Sequence, residues 1–346
     1  MKRSKVRPAV ISLCVLTVIL SASMAVASVA SGASQRRVVV PVAVIGGQGT
    51  QGGANPIVEV RIGNWGPVPV LLDTGSSGLH IFAGAVNGGS GVTVTTRTSN
   101  ITYAGGYRFD GLVASGVVTL GTQATSGPAS FALVYKASCI ASKPGCAATG
   151  GIAGFESDRG VDGILGIGME RSGGGVISPI LGMPGTLGDT WSLHLHGTSG
   201  QLILGAAIPS GSRAKVTIDM KSDGTASGRN LWADDRLPLC VTGGSERECV
   251  PGLFDSGTPS AQISGPTLDQ VPTLIGTSQV LAGTPMTVTK RGAASPFWSF
   301  TAGTTKSSDL VRVMNGKGPF INTGVQAFYD FTVSYDDGTG SITLSR

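Results

Sequence analysis

Along most of the chain, apolar and polar residues alternate in short runs, and each run ends at Gly, Pro, Asn or Ser. In 57–62, Val58, Val60 and Ile62 alternate with Glu59 and Arg61, and 68–72 is almost continuously apolar. Comparable runs lie at 92–96, 116–120, 131–135, 191–195, 201–204 and 215–218. A period of two between turn residues predicts strands. Helical spacing is scarce, and 266–275 is the best helix candidate. The expected class is all-β.

One longer pattern stands above these. Val70-Leu71-Leu72-Asp73-Thr74-Gly75-Ser76-Ser77 returns 182 positions later as Gly252-Leu253-Phe254-Asp255-Ser256-Gly257-Thr258. Both copies run from apolar strand into Asp-hydroxyl-Gly-hydroxyl. The spacing is too long for a solenoid repeat, so two related lobes are expected, at 34–198 and 199–346. The composition agrees. With 54 Gly in 346 residues and only 13% charged, a helical bundle lacks its helix formers, and the Gly shows no collagen period.

The first 33 residues are read as a leader. A basic start (Lys2, Arg3, Lys5, Arg7) precedes an apolar run over 9–27, then small residues such as Ala25-Val26-Ala27 and Gly32-Ala33. That order describes a secretory signal peptide, with an uncleaved anchor as the rival. The Ala and Ser at its far end favour cleavage, and Cys14 is read as a leader residue. Of the 25 basic residues four belong to this leader, which leaves 21 against 20 acidic ones. No basic stripe remains to suggest nucleic acid. The expected location is secreted or associated with the cell envelope.

Outside the leader, Cys139 and Cys146 lie seven apart, and Cys240 and Cys249 nine apart. Two local disulfides fit an exported chain. A zinc site is the other reading, with no His near either pair. His194 and His196 alternate on one strand and, lacking a third ligand, make a poor metal site. No metal and no cofactor are expected.

Chemistry points to the repeated Asp. A carboxylate at the end of a buried strand needs hydrogen bonds, which the neighbouring hydroxyls and backbone N–H groups can give. Gly75 and Gly257 let the backbone turn tightly beside each Asp. If the two loops meet, Asp73 and Asp255 cannot both ionise easily. One proton is then shared, giving a base and an acid at the same pH. Such a pair can activate water while protonating a carbonyl.

At these residues the chain resembles the pepsin-like aspartic peptidases, over nearly all of its length after the leader. The segment 71–77 is similar to the first active-site loop and 254–258 to the second. Ile101-Thr102-Tyr103 with Gly105-Gly106 resembles the flap, and Asp162-Gly163-Ile164-Leu165-Gly166-Ile167-Gly168 the segment supporting the first Asp. Trp191-Ser192-Leu193 with 200–205 resembles the inter-lobe sheet, and Asn322-Thr323-Gly324 with Tyr329-Asp330-Phe331 the second lobe's supporting segment. The Gly-rich secreted mycobacterial branch, which includes protease domains attached to PE modules, is the most similar in character.

The resemblance implies a bilobal acid-protease fold with a cleft between its lobes. It implies a secreted endopeptidase acting as a monomer on an extended polypeptide. Asp73 and Asp255 would be catalytic, with Thr74, Gly75, Ser76, Ser256, Gly257 and Thr258 supporting them. Tyr103, Gly105 and Gly106 would form the flap, and an acidic optimum follows from the family. Two departures stand out. His80 occupies the place of a usual Trp, either as a titrating neighbour of Tyr103 or as a plain inward-facing residue. Arg108 near the flap tip either favours an acidic substrate residue or is simply solvated. Residues 34–72 leave no room for a prosegment, so the expectation is export in active form or restraint by something other than a prosegment. The alternative function is a catalytically silent binding or inhibitor protein on the same fold. A Gly-rich adhesive protein would explain the composition but not the paired motifs.

Overall fold

The computed structural model describes residues 37–46, 53–86, 91–170, 174–205, 211–303 and 309–346. The leader, its cleavage positions and Cys14 lie outside the described residues. Among those residues the strands form one 15-stranded sheet, one 7-stranded sheet and a two-stranded ribbon. No helix among them is long and apolar enough to cross a membrane.

The alternation read from sequence becomes a two-faced strand where it is strict. In Val38–Ile45, Val38, Val40, Val42 and Val44 are buried while the residues between them are exposed. This strand pairs antiparallel with Ser199–Leu204 on one side and Asn55–Ile62 on the other. Thr190–His196 lies next to Ser199–Leu204 and also pairs with Thr332–Asp336 near the C-terminus. Early and late parts of the chain thereby share one sheet. Trp191 and Tyr335 are fully buried on it and stack with centroids 5.7 Å apart.

The core of the architecture is a crossed-strand motif that occurs twice. In the first, Trp65–Asp73 carries Asp73 at its end, and Gly163–Ile167 lies parallel to it with Ile164 opposite Leu71. Gly163–Ile167 also pairs antiparallel with Ser77–Phe82, so it separates the two arms of the loop that carries Asp73. In the second, Glu246–Leu253 leads to Asp255, and Phe320–Asn322 lies parallel to it with Asn322 opposite Leu253. Phe320–Asn322 again pairs antiparallel with the outgoing strand, Ala261–Ser264.

One sequence expectation needs correction. The helix expected over 266–275 is only a 3-10 turn at Leu268–Gln270. Among the described residues the α-helices are Ile152–Arg159 and Gln326–Asp330. Helix Ile152–Arg159 escapes notice because it buries one side chain, Phe155, and contains Gly154. That Gly is required: a Cβ there would lie 1.8 Å from the Thr149 carbonyl. Both local disulfides are present. Cys240 and Cys249 face each other across paired strands, and Cys139–Cys146 closes a loop beside the flap.

Candidate active site

The two Asp loops meet tip to tip, tied by four hydrogen bonds. The Thr74 hydroxyl donates to the Phe254 carbonyl at 2.8 Å and accepts from the Ser256 N–H at 2.9 Å. Reciprocally, the Ser256 hydroxyl donates to the Leu72 carbonyl at 2.7 Å and accepts from the Thr74 N–H at 3.1 Å. All four are buried, so breaking one leaves a desolvated polar group unpaired. Tyr335 lies beneath them, its hydroxyl 3.4 Å from the Phe254 carbonyl.

Each Asp is held by its own loop in the same way. The Gly75 N–H donates to Asp73 Oδ1 at 2.8 Å, and the Ser76 hydroxyl to Oδ2 at 2.7 Å. The Gly257 N–H donates to Asp255 Oδ1 at 2.8 Å, and the Thr258 hydroxyl to Oδ2 at 2.6 Å. Both Gly are also fixed by the opposite carboxyl. A Cβ on Gly75 would lie 2.5 Å from the Asp255 carboxyl carbon, and one on Gly257 2.6 Å from Asp73 Oδ1. No side chain fits between loop and partner Asp. Both Asp are buried, at 6% and 7% exposure. Burial first, and then the neighbouring Asp255 charge, push Asp73 up to about 8, against the opposing bonds from Ser76 and Gly75. Burial and the paired charge thus favour a proton held on the dyad as a unit.

The flap is the hairpin Val92–Thr102 with Tyr107–Gly116. Tyr103 and Tyr107 close its tip, which contains Gly105 and Gly106. Tyr103 packs inward, stacked on Tyr107 at 4.8 Å and edge-on to His80 at 6.1 Å. Its hydroxyl makes no hydrogen bond of normal geometry, and Ser76 and Asp73 are among the groups that act on it. His80 is 1% exposed with both ring nitrogens unpartnered. Burial lowers it to about 4, and the Gly78 backbone offsets only part of that. It is thus a neutral ring supporting the flap tyrosine at neutral pH. Arg108 is not free: it pairs with Asp110 at 2.7 Å.

Under the flap lies a cavity of about 260 Å³, lined by Gly75, Ser76, Tyr103, Ile101 and Glu170 among others. Burial and the nearby Asp235 and Asp223 charges raise Glu170 to about 7. A second cavity of about 370 Å³, lined by Pro41, Pro67, Pro69 and Thr119 among others, contains neither Asp.

Asp234 was not singled out from sequence, and Asn322 was named only as part of the second lobe's supporting segment, without a role at the carboxyl. Asp234 is buried and accepts the Met169 N–H at 2.7 Å, pinning the chain just beyond Gly163–Ile167. Asn322 donates through Nδ2 to Asp255 Oδ2, while its Oδ1 accepts the Gly324 N–H at 2.9 Å. His194 and His196 are exposed on one strand as expected. No cluster of metal-ligating side chains occurs among the described residues.

Crossed-strand motifs repeated in two lobes, with an Asp loop from each meeting at a covered cleft, define the pepsin-like aspartic peptidase fold. The chain matches the PE-PGRS C-terminal aspartyl peptidase-like domain over residues 39–342, and belongs to that family. In fold it is similar to the crystal structure of the aspartic proteinase from Irpex lacteus, with a TM-score of 0.58 and 18% identity. That likeness covers 90% of this chain and 97% of the fungal one. No curated protein matches the sequence.

Proposed function

We propose that this chain is an aspartic endopeptidase that hydrolyses peptide bonds in extended polypeptides with a water activated by Asp73 and Asp255. The observation that carries this reading is the reciprocal latch of Thr74 and Ser256. It holds two buried carboxyls against each other's glycines, each accepting a backbone N–H and a hydroxyl. A pair sharing one proton supplies both halves of a hydrolysis. The ionised carboxyl takes a proton from water, whose oxygen attacks the carbonyl carbon. The protonated carboxyl gives its proton to the carbonyl oxygen. As the resulting diol collapses, the departing nitrogen takes a proton from the dyad and the diol hydroxyl returns one to it. The dyad ends as it began. No side chain forms a covalent bond to the substrate.

Tyr103 and the flap tip cover a strand-like peptide, which binds through its backbone with side chains set in pockets. The chain works as a monomer without metal or cofactor, exported through its first 33 residues, with lobes at 34–198 and 199–346. The test is cleavage of a diverse peptide mixture by residues 34–346 between about pH 3 and 8, the range over which a carboxyl pair can titrate. Asp73→Asn serves as the control. Cleavage that vanishes in Asp73→Asn supports the proposal. A folded protein that cuts nothing, or cuts equally well as Asp73→Asn, refutes it and leaves a binding role on the same fold.

A further inference from the structure

The backbone of the two crossed-strand motifs is nearly symmetric, but their equivalent side chains differ, and one such difference reaches a carboxyl of the dyad. Ile164 lies opposite Leu71, two residues before Asp73, and Asn322 lies opposite Leu253, two residues before Asp255. The two therefore occupy the same place in their motifs. Ile164 is fully buried in an apolar cluster with Leu71, Phe82 and Phe109. Asn322 is also buried, at 6% exposure, yet it is polar. Its orientation is fixed by hydrogen bonding: the Gly324 N–H occupies Oδ1, which leaves Nδ2 to face Asp255 Oδ2, with Thr258 Oγ1 at 3.4 Å.

The dyad is thus unequal in donors. Asp73 accepts from Gly75 and Ser76, and Asp255 accepts from Gly257, Thr258 and Asn322. A carboxylate gains from each donor aimed at it, whereas a neutral acid must spend one oxygen on its own proton. The groups around the pair do not reverse this bias. Tyr103, Tyr107 and Tyr335 are buried phenols held above their ordinary value chiefly by desolvation. Glu170 lines the adjoining cavity and Asp234 lies behind Met169, both held up first by burial. His80 sits behind Tyr103 as a neutral ring at neutral pH.

We propose that Asn322 is a positioning residue that fixes the division of labour in the dyad, making Asp255 the base that takes the proton of water and Asp73 the acid that protonates the carbonyl. In the second half of the reaction Asp255 returns its proton to the departing nitrogen, and Asp73 regains one from the diol. The assignment rests on the peptidase reading above, but it can be observed without turnover.

The experiment uses the protein from residue 34 onward with 13C-labelled Asp carboxyls, assigned through Asp73→Asn and Asp255→Asn, and compares it with Asn322→Ile and Asn322→Asp. The wild-type protein at pH 5 is expected to show an ionised Asp255 signal and a protonated Asp73 signal. Asn322→Ile, which installs the residue of the other motif, is expected to erase or invert that difference. It should also lower kcat about tenfold to a hundredfold with little change in KM, as for a lost bond to a charged group. Asn322→Asp keeps the shape, and its new carboxyl donates only when protonated, so activity should survive only at the acidic end of the profile. A protonated Asp255 in the wild type overturns the proposal. So does an Asn322→Ile variant, still folded by circular dichroism, with unchanged carboxyl signals and pH profile. If the wild-type signals are as expected but no peptide is cut, the peptidase reading fails and the role of Asn322 stands.

Discussion

The loop of Asp73 and the loop of Asp255 have the same backbone plan and different surroundings. Behind Asp73, the supporting strand Gly163–Ile167 is buried along its whole length and carries only Gly, Ile and Leu. Behind Asp255, the matching strand Phe320–Asn322 ends in a polar side chain that reaches the carboxyl. At the latch the two halves are interchangeable: Thr74 and Ser256 each donate to a carbonyl and accept an N–H of the other loop. The comparison separates two tasks. Bringing the carboxyls together is done symmetrically, and telling them apart is done by what lies one strand further back.

If the latch is symmetric, removing either half should do equal damage. Thr74→Val and Ser256→Ala each leave a buried carbonyl and a buried N–H without partners, at a cost of about 2–4 kcal/mol apiece. Urea unfolding of the two variants checks this. The comparison breaks if one variant is far less stable than the other.

A smaller effect sharpens the contrast between buried groups of opposite sign. Asp73, raised to about 8 in the fold, favours the folded state below its ordinary 3.8 and loses that contribution as pH rises towards 8. Its replacement in Asp73→Asn should therefore stabilise the protein by about 1–3 kcal/mol at pH 7 and by little at pH 3.5. His80 behaves oppositely. Lowered to about 4, it contributes above its ordinary 6.5 and loses that contribution as pH falls towards 4. His80→Phe should remove up to about 3 kcal/mol of the stability lost between pH 7 and 4. Thermal unfolding of both variants at three pH values reads each slope, and matching slopes in wild type and variant would contradict the assignment.

The smallest expected effect concerns the flap, which covers the cavity beside the Asp73 loop. The disulfide-closed loop Cys139–Cys146 holds its tip: the Ile140 N–H donates to the Gly106 carbonyl at 2.8 Å, and Lys143 Nζ to the Ala104 carbonyl at 2.6 Å. Lys143→Ala removes one partly solvated bond, so KM should rise only about two- to fivefold with stability nearly unchanged. A large fall in melting temperature would mean that the loop supports the core rather than the flap.

Much of this was legible in the sequence. Alternation of period two located the strands, and the repeat 182 residues apart located both Asp loops and the hydroxyls that serve them, because tight turns at buried carboxylates leave few residue types to choose from. Other features depend on contacts distant in sequence. The helix Ile152–Arg159 has little apolar periodicity and is set by a close backbone approach at Gly154. The stretch 266–275 has helix formers but holds only a 3-10 turn, with Glu248 capping the N–H groups of Thr267 and Leu268. Asn322 gave one signal, a polar residue where the first motif has Ile164. Its meaning needed the register that puts it beside Asp255.

The central claim is that two carboxyls share one proton and act as a single catalytic unit. The most direct measurement is kcat/KM for one cleaved peptide against pH, for the wild type and for Asp255→Asn. A shared proton predicts a bell, falling at low pH once both carboxyls are protonated and falling again as Asp73 ionises towards about 8. Asp255→Asn should show no cleavage at any pH. A rate that levels off at alkaline pH, or a bell that survives Asp255→Asn, would contradict the account.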